Sequence, residues 1–371
     1  MQTFVGDVTY IEPIHLRALL LGKAFNKSSQ VLLKKGYMYY HSFYIAKQFA
    51  KELSKKLAES PFDVIIAPSC ATEIAYCETD IPIVLIEDAT FILLYEYYAQ
   101  YKGLLQRSID AQDALEGLAL KQASLALYPS EWAARSARTY YQAGKKVHAV
   151  PFGGNIDAPP PIEVVQRRQK SGHCQLFFLG VDWERKGGAI AFDTLLKLHE
   201  MGIDAELIVC GCVPPAEFAH PRLTVIPFLN KKDEKQRKEL DRLFETSDFL
   251  FLPTRGETYG MVFCEASAFG LPVITTNTGG VSGAVREGEN GFLLPLEAGG
   301  AEYAALIARV YADDQRYAEL VTSSRKVYDT WLNWDAWGKS TGKLIMDMLN
   351  ARNPRLSTHI PPVSGEVAHP V

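Results

Sequence analysis

Apolar and polar positions along the first half of the chain follow two alternating patterns. Short apolar runs, Val64-Ile-Ile-Ala67, Ile83-Val-Leu-Ile86, Leu125-Ala-Leu-Tyr128 and Val147-His-Ala-Val150, are separated by longer stretches with helical periodicity. Runs of four bounded by polar residues suit strands buried on both faces. Strands alternating with helices predict parallel βαβ units. Between Ser42 and Leu57, the residues Ile45, Phe49, Leu53 and Leu57 recur every four positions, while Lys47, Lys51 and Lys55 take the opposite side. This spacing predicts an amphipathic helix with a lysine-bearing outer face.

The pattern breaks after Val150. Pro151-Phe-Gly-Gly-Asn155, Ala158-Pro-Pro-Pro161 and a polar stretch to Gly172 have the composition of a linker. The strand series resumes at Gln175-Leu-Phe-Phe-Leu-Gly180 and continues through Glu206-Leu-Ile-Val209, Leu223-Thr-Val-Ile226, Phe249-Leu-Phe-Leu252 and Val273-Ile-Thr-Thr276. Two Rossmann-like α/β domains are therefore predicted, over 1–155 and 173–328, joined by a linker at 156–172. A terminal helix over 329–352, carrying Trp331, Trp334 and Trp337, is expected to pack back toward the first domain, with a Pro-rich tail over 353–371. Open parallel sheets bind ligands beyond the carboxyl ends of their strands, so the chemistry is expected in the cleft between the domains.

Composition adds bounds. The 371 residues are enough for two cores, and 47% apolar with 22% charged residues describes a globular chain. No apolar run is long enough for a membrane span. The start, MQTFVGDVTYIEP, lacks the pattern of a secretory signal, so a cytoplasmic protein is expected. A net charge of −4 gives no sign of a nucleic-acid surface. The six cysteines are scattered, and Cys210-Gly-Cys212 has no second ligand pair at zinc spacing, so buried thiols and no metal site are expected. Lys34-Lys-Gly-Tyr-Met-Tyr-Tyr-His41 joins cations to aromatics and runs into the lysine face of the next helix. It suits either a solvated basic surface or a peripheral contact with a membrane or lipid-linked acceptor. His15 and His41 have no recognisable partners.

The densest chemistry lies in Pro253-Thr-Arg-Gly-Glu257-Thr-Tyr-Gly-Met-Val-Phe-Cys-Glu265-Ala-Ser-Ala-Phe-Gly270-Leu-Pro272, a strand exit, loop and helix that ends before the next strand. Gly260 permits close backbone approach at the helix entrance, and Gly270 with Pro272 stops the helix. Its first turn offers unpaired N–H groups and a positive dipole end, a seat for a diphosphate. Glu257 can accept hydrogen bonds from sugar hydroxyls beside the phosphates, and Glu265 can reach a ribose. On spacing alone the two glutamates also suit an ordinary solvated helix. A second marker is Phe178-Leu-Gly-Val-Asp-Trp-Glu-Arg-Lys186-Gly-Gly188, where adjacent cations and glycines follow a strand and suit an anionic ligand.

Taken whole, Pro-x3-Glu-x2-Gly-x4-Glu-Ala-x-Ala-x-Gly-x-Pro-Val resembles the E-x7-E motif of family 4 glycosyltransferases. Gly279-Gly280, Val285, Gly288 and Asn290-Gly-Phe-Leu-Leu-Pro295 resemble that family's continuation. The resemblance implies a GT-B fold, two Rossmann-like domains facing across a cleft. It also implies retaining transfer of a hexose from a UDP-, GDP- or ADP-sugar to an acceptor it does not specify, without a divalent metal. Lys186 aligns with the lysine that binds the donor diphosphate; Arg185 either assists it or points to solvent. Thr258, Tyr259, Gly260, Met261 and Val262 join Glu257 and Glu265 in the donor segment, and Phe228 and Leu229 fall where the family lines its base pocket.

Departures are as specific as the matches. Val181 stands where the family often has an arginine, and Glu87 and Asp88 stand near its usual cleft histidine, which makes Asp88 a candidate substrate contact or general base. Nothing before Val64 reads as the family's first strand and Gly-Gly loop. Two other functions suit such a scaffold: a nucleotide-sugar 2-epimerase, and a non-catalytic sugar-binding or scaffold protein.

Overall fold

The computed structural model describes residues 7–12, 14–170 and 172–352; the expected tail over 353–371 lies outside the described residues. The first half runs α1 (Ala18–Leu33), α2 (Phe43–Leu57), β1 (Ile65–Pro68), α3 (Ala71–Ile74), β2 (Ile83–Ile86), α4 (Phe91–Tyr97), α5 (Gln106–Gln122), β3 (Leu125–Tyr128), α6 (Glu131–Thr139) and β4 (Val147–Ala149). Beyond the short helix α7 (Ile162–Gln166) come β5 (Cys174–Leu179), α8 (Gly188–Glu200), β6 (Ala205–Cys210), β7 (Leu223–Ile226), α9 (Glu234–Thr246) and β8 (Phe249–Leu252). The chain then continues through α10 (Met261–Ala268), β9 (Val273–Thr276), β10 (Gly291–Leu294), α11 (Gly300–Ala312), α12 (Asp314–Thr330) and α13 (Trp334–Arg352).

All strand pairs are parallel, in two sheets ordered β1-β2-β3-β4 and β10-β9-β8-β5-β6-β7. The apolar runs form strands because parallel strands must be covered on both faces. In β2 and β3 the period of two is visible in what covers them. Ile83, Leu85, Ala126 and Tyr128 join a core with Leu53 of α2 and Leu120 of α5. Val84, Ile86, Leu125 and Leu127 share a cluster with Trp337 and Ile345 of α13. The terminal helix thus covers the first sheet: Trp334 stacks on Phe152 at 5.7 Å, and Arg352 donates to the Asp80 carbonyl at 3.4 Å.

In the second sheet β5 lies between β6 and β8, so the direction of chain progression reverses there. Such a switch point splays the loops that follow the two strands and opens a crevice at their carboxyl ends. Those loops are 180–187 and 253–260, the two segments singled out by their chemistry. In the first sheet every neighbour is consecutive in the chain, and no reversal occurs.

The structure adds elements that periodicity did not predict, among them the short helix α7 within the expected linker. The half-buried edge strand β10 makes the second sheet six-stranded. The helix α1 occupies the region where no element was expected; among the described residues no strand precedes β1. The lysines Lys47, Lys51 and Lys55 are exposed on α2, with Ile45, Phe49 and Leu53 buried, as the four-residue spacing required.

Gly187 shows how tightly the switch point is built. Its φ is +77°, and a Cβ there would lie 2.0 Å from the Pro253 carbonyl oxygen. Gly202 has the same φ of +77° but open space around it. Gly202→Ala is therefore expected to cost only the left-handed backbone strain, roughly 1–2 kcal/mol, whereas Gly187→Ala adds a backbone clash and costs clearly more. Urea denaturation of the two variants measures the difference; equal losses would show that the β5 and β8 loops are free to separate.

Candidate active site

Loop 180–187 and loop 253–260 are joined at several points. Arg255 N–H and the Thr254 hydroxyl both donate to the Arg185 carbonyl, at 2.7 and 3.1 Å, and Arg185 Nη1 donates to the Gly256 carbonyl at 2.9 Å. Asp182 turns the first loop by accepting from Arg185 N–H at 3.0 Å. Lys186 folds back over Gly180, where a Cβ would meet its side chain at 2.7 Å, and its ammonium is ion-paired with Glu257. Both partners are buried, with 8% of each residue exposed. Arg185 Nη1 stands 3.9 Å from the same carboxylate, so Arg185 faces the site as well as binding the neighbouring loop. Val181, in contrast, is exposed and contributes no charge.

Glu257 leads into α10. Gly260, at φ +88°, caps that helix without a side-chain hydrogen bond, and no acidic residue lies in the first turn. The positive end of the helix dipole and the N–H groups around Met261 and Val262 are left for an anionic ligand. Tyr259 is different: its ring is buried and its hydroxyl donates to the Phe152 carbonyl at 2.8 Å, so its side chain holds the helix entrance against the strand β4 exit. Thr258 is half-buried, and its carbonyl lies where a side chain on Gly280 would otherwise sit. That contact explains Gly279-Gly280: Gly280 N–H donates to the Glu257 carbonyl at 3.1 Å, an approach only a residue without Cβ permits.

Glu265 is buried on the next face of α10 and ion-paired with Lys231 at 2.7 Å. Burial raises its carboxyl; Lys231 and the Asn155 backbone N–H work in the opposite direction. Lys231 follows Phe228 and Leu229 in the loop after β7, and also donates to the Asn155 carbonyl at 3.3 Å. Phe228 is exposed and Leu229 half-buried, so the loop presents an apolar edge beside Glu265. Gly154 lies against the α10 backbone, with Glu265 N only 3.1 Å from where its Cβ would be.

The first domain supplies the facing wall. Glu87 and Asp88 follow β2. Asp88 opens to solvent on one side, but the surrounding protein, and after it the charge of Glu257, raise its carboxyl above the ordinary aspartate range. Burial raises Glu87 further, with Glu116 next in effect. Glu116 is enclosed within the domain and accepts from Phe91 N–H at 2.7 Å, at the start of α4. That helix carries Tyr97, whose hydroxyl accepts from Glu257 N–H at 3.0 Å and bonds with Thr278 at 2.6 Å. The first domain therefore holds the backbone of the central glutamate directly. Among the described residues no group of three or more His, Cys, Asp or Glu side chains is placed to hold a metal ion.

The family profile described as glycosyl transferases group 1 matches residues 173–313, the segment that contains Lys186, Glu257 and Glu265. Over this segment the chain is similar to the group 1 glycosyl transferases. Curated relatives include a phosphatidyl-myo-inositol mannosyltransferase of Mycobacterium leprae, 27% identical over 50% of this chain and 50% of its own length. A D-inositol 3-phosphate glycosyltransferase of Jonesia denitrificans is 29% identical over 44% of this chain and 43% of its own. The chain spans 19% to 51% of the length of the curated relatives it matches. Among solved structures, sucrose-phosphate synthase from Thermosynechococcus elongatus superposes with a TM-score of 0.62 at 18% identity, covering 83% of this chain and 79% of that one. Anabaena HepE in complex with UDP gives 0.60 at 18%, covering 80% and 82%. These likenesses place the chain in the two-domain GT-B fold.

Within the matched segment the structure brings Lys186, Arg185 and Glu257 together, and the first domain sets Asp88 across from them. Glu265 lies with Phe228 and Leu229 on a second side of α10. Sequence reasoning missed Tyr97, Thr278 and Lys231. Tyr97 belongs to the aromatic cluster Tyr95-Glu-Tyr-Tyr98, whose partner only the fold shows; Lys231 follows a segment already singled out, and only the fold shows that it reaches Glu265.

Glu116 yields a pH test of the wall that seats Tyr97. Burial pushes its carboxyl up to about 8 from 4.5, so the folded protein keeps it protonated while the unfolded chain ionises it. Its contribution to stability is full below the unfolded value and is lost as pH rises toward the folded one. Glu116→Gln keeps an acceptor for Phe91 N–H and removes the titration. The expected outcome is a variant whose Tm matches the parent near pH 4.5 and exceeds it increasingly toward pH 8, measured by thermal unfolding across that range. Parallel profiles would show that Glu116 is not protonated in the folded domain.

Proposed function

We propose that this chain is a retaining, metal-independent glycosyltransferase that moves a hexose from a nucleoside-diphosphate sugar to an acceptor hydroxyl. The observation that carries this reading is the buried Lys186–Glu257 pair at the switch point, beside the uncapped N-terminus of α10. UDP is the favoured nucleotide over GDP and ADP, because the fold relative Anabaena HepE has been solved with UDP and with UDP-glucose.

In this reading the diphosphate lies at the first turn of α10, with Lys186 beside its β-phosphate and Arg185 in support. Breaking the bond between the anomeric carbon and the β-phosphate oxygen leaves negative charge on that phosphate. Lys186 and the helix N–H groups stabilise it without proton transfer. The acceptor oxygen attacks the same face of the sugar, and its proton passes to the departing phosphate oxygen. Glu257 binds sugar hydroxyls and, in the absence of ligand, holds Lys186 in place. Glu265 binds the ribose, exchanging part of its interaction with Lys231, while Phe228 and Leu229 border the base. Asp88, with its raised carboxyl, contacts the acceptor or the transferred sugar. The names of the curated relatives point to phosphorylated inositols as acceptors for those proteins; here the acceptor-side wall carries the carboxyls of Glu87 and Asp88. The same reading includes a peripheral contact with a membrane through the cationic and aromatic segment 34–41.

The test is a thermal-shift series with nucleoside diphosphates, since a ligand present at a hundred times its Kd stabilises by about 2.7 kcal/mol. A shift with UDP that Glu265→Ala weakens, and a turnover that Lys186→Ala lowers more than tenfold with UDP binding still measurable, are the expected outcomes. EDTA should leave turnover unchanged. Interconversion of the donor sugar with no acceptor present would instead identify an epimerase. Absence of a shift with every nucleotide would leave a sugar-binding scaffold.

A further inference from the structure

Helix α1 is amphipathic in the wrong direction for a protein surrounded by water. The side that meets the rest of the protein carries Gly22, Asn26 and Ser29. A Cβ on Gly22 would lie 2.6 Å from Tyr39 Cβ, Asn26 accepts from Tyr37 N–H at 2.7 Å, and the Ser29 hydroxyl donates to the Lys35 carbonyl at 2.7 Å. These contacts fix the rotation of the helix about its axis. At 100° per residue the far side then holds Leu20, Leu21, Val31 and Leu32, while Phe25 lies nearer the protein and packs against Tyr37 and Arg107. All four are exposed, Leu21 to 77% and Leu32 to 78%. Surface helices ordinarily bury their apolar stripe, and a contiguous exposed one marks an interaction surface.

Charge identifies the partner. Between Glu12 and Glu52 the chain has no acidic residue, but it carries Arg17, Lys23, Lys27, Lys34, Lys35, Lys47 and Lys51, in a protein whose net charge is −4. Lys23 and Lys27 lie along one edge of the apolar stripe. Beside the helix, Arg17 and Lys23 with His15, Tyr39 and Tyr40 help line a cavity of ≈ 490 Å³ with no carboxylate in its lining. Two copies of this face would repel one another, whereas an anionic bilayer satisfies both halves of the pattern, leucines entering the acyl boundary and lysines resting among phosphates.

We infer that α1 is a membrane-surface anchor that docks the first domain on an anionic lipid bilayer. No helix among the described residues is long and apolar enough to cross a membrane, so the contact is with the surface. The inference rests on the membrane contact of the proposed reading, names the element and lipid chemistry that make it, and does not rest on the donor site.

Flotation of the full chain with vesicles tests it. The chain is expected to float with phosphatidylcholine mixed with phosphatidylglycerol in equal amounts, and to stay behind with phosphatidylcholine alone. Leu21→Ser with Leu32→Ser, and separately Lys23→Gln with Lys27→Gln, should each lower partitioning at least about tenfold. UDP binding, measured in parallel, should be unchanged in both double variants, because none of the four positions touches the donor loops. Failure to float with anionic vesicles, or unchanged flotation of either double variant, would overturn the inference. So would a concentration-dependent dimer in sedimentation velocity that Leu21→Ser with Leu32→Ser dissolves, since that result assigns the face to a second copy of the chain. Loss of UDP binding in the parent protein with flotation intact would count against the transferase reading alone.

Discussion

The buried pair of Lys186 and Glu257 is the constraint on which the site depends. Taking two charges out of water costs several kcal/mol per ion, and only close pairing with further hydrogen bonds offsets it. The fold supplies that geometry from three directions. Gly180 lets the lysine stem lie flat on the strand exit, the Arg185 carbonyl receives the neighbouring loop, and Tyr97 from the other domain holds the Glu257 N–H. Gly187, Gly279 and Gly280 remove the side chains that would keep these segments apart. The lysine is thereby fixed at the carboxyl edge of the sheet, so the proposed phosphate contact would need little reorganisation.

This arrangement also explains what was legible in the sequence. Strands β2, β3, β8 and β9 are buried along their whole length, and such strands appear as unbroken apolar runs that need no tertiary information to be found. The donor loops were legible for a related reason: backbone packed against backbone demands glycine at particular positions, and glycines beside Lys186 and Glu257 form a pattern specific enough to support a family resemblance. Tyr97 and Lys231 were not legible because each acts across a large sequence separation, and nothing local marks which glutamate it will meet. The edge strand β10 is half-exposed, so its apolar residues lack the uniform burial that makes the central strands visible. Tyr259 shows the limit of carrying a motif across as a block, since its backbone lies at the helix entrance while its ring serves the core.

Helix α1 failed to register for a different physical reason. Periodicity identifies a helix by matching an apolar stripe to a core, and here the stripe faces outward while Gly22, Asn26 and Ser29 face the protein. The pattern is regular, but its meaning depends on what solvent the outer face meets. A helix fixed by hydrogen bonds on its polar side and left apolar on the other violates the usual rule for surfaces. Such violations tend to lie where function, not folding, selected the residues.

The two sheets divide the labour unequally for a topological reason. A sheet gains a ligand crevice where chain order reverses, because the loops on either side of the reversal run to opposite faces. The second sheet has that reversal between β5 and β8, and the cations and glutamates of loops 180–187 and 253–260 gather there. The first sheet runs β1-β2-β3-β4 without one. It has no crevice of its own, so its contribution must come from what projects past the strand ends: Glu87 and Asp88 after β2, and Tyr97 on α4, which Glu116 secures at the Phe91 N–H. The facing wall is therefore shaped by the seating of one short helix against the other domain. Its geometry follows the Tyr97–Glu257 contact more than the first sheet itself, which places control of that wall in the interface between the domains.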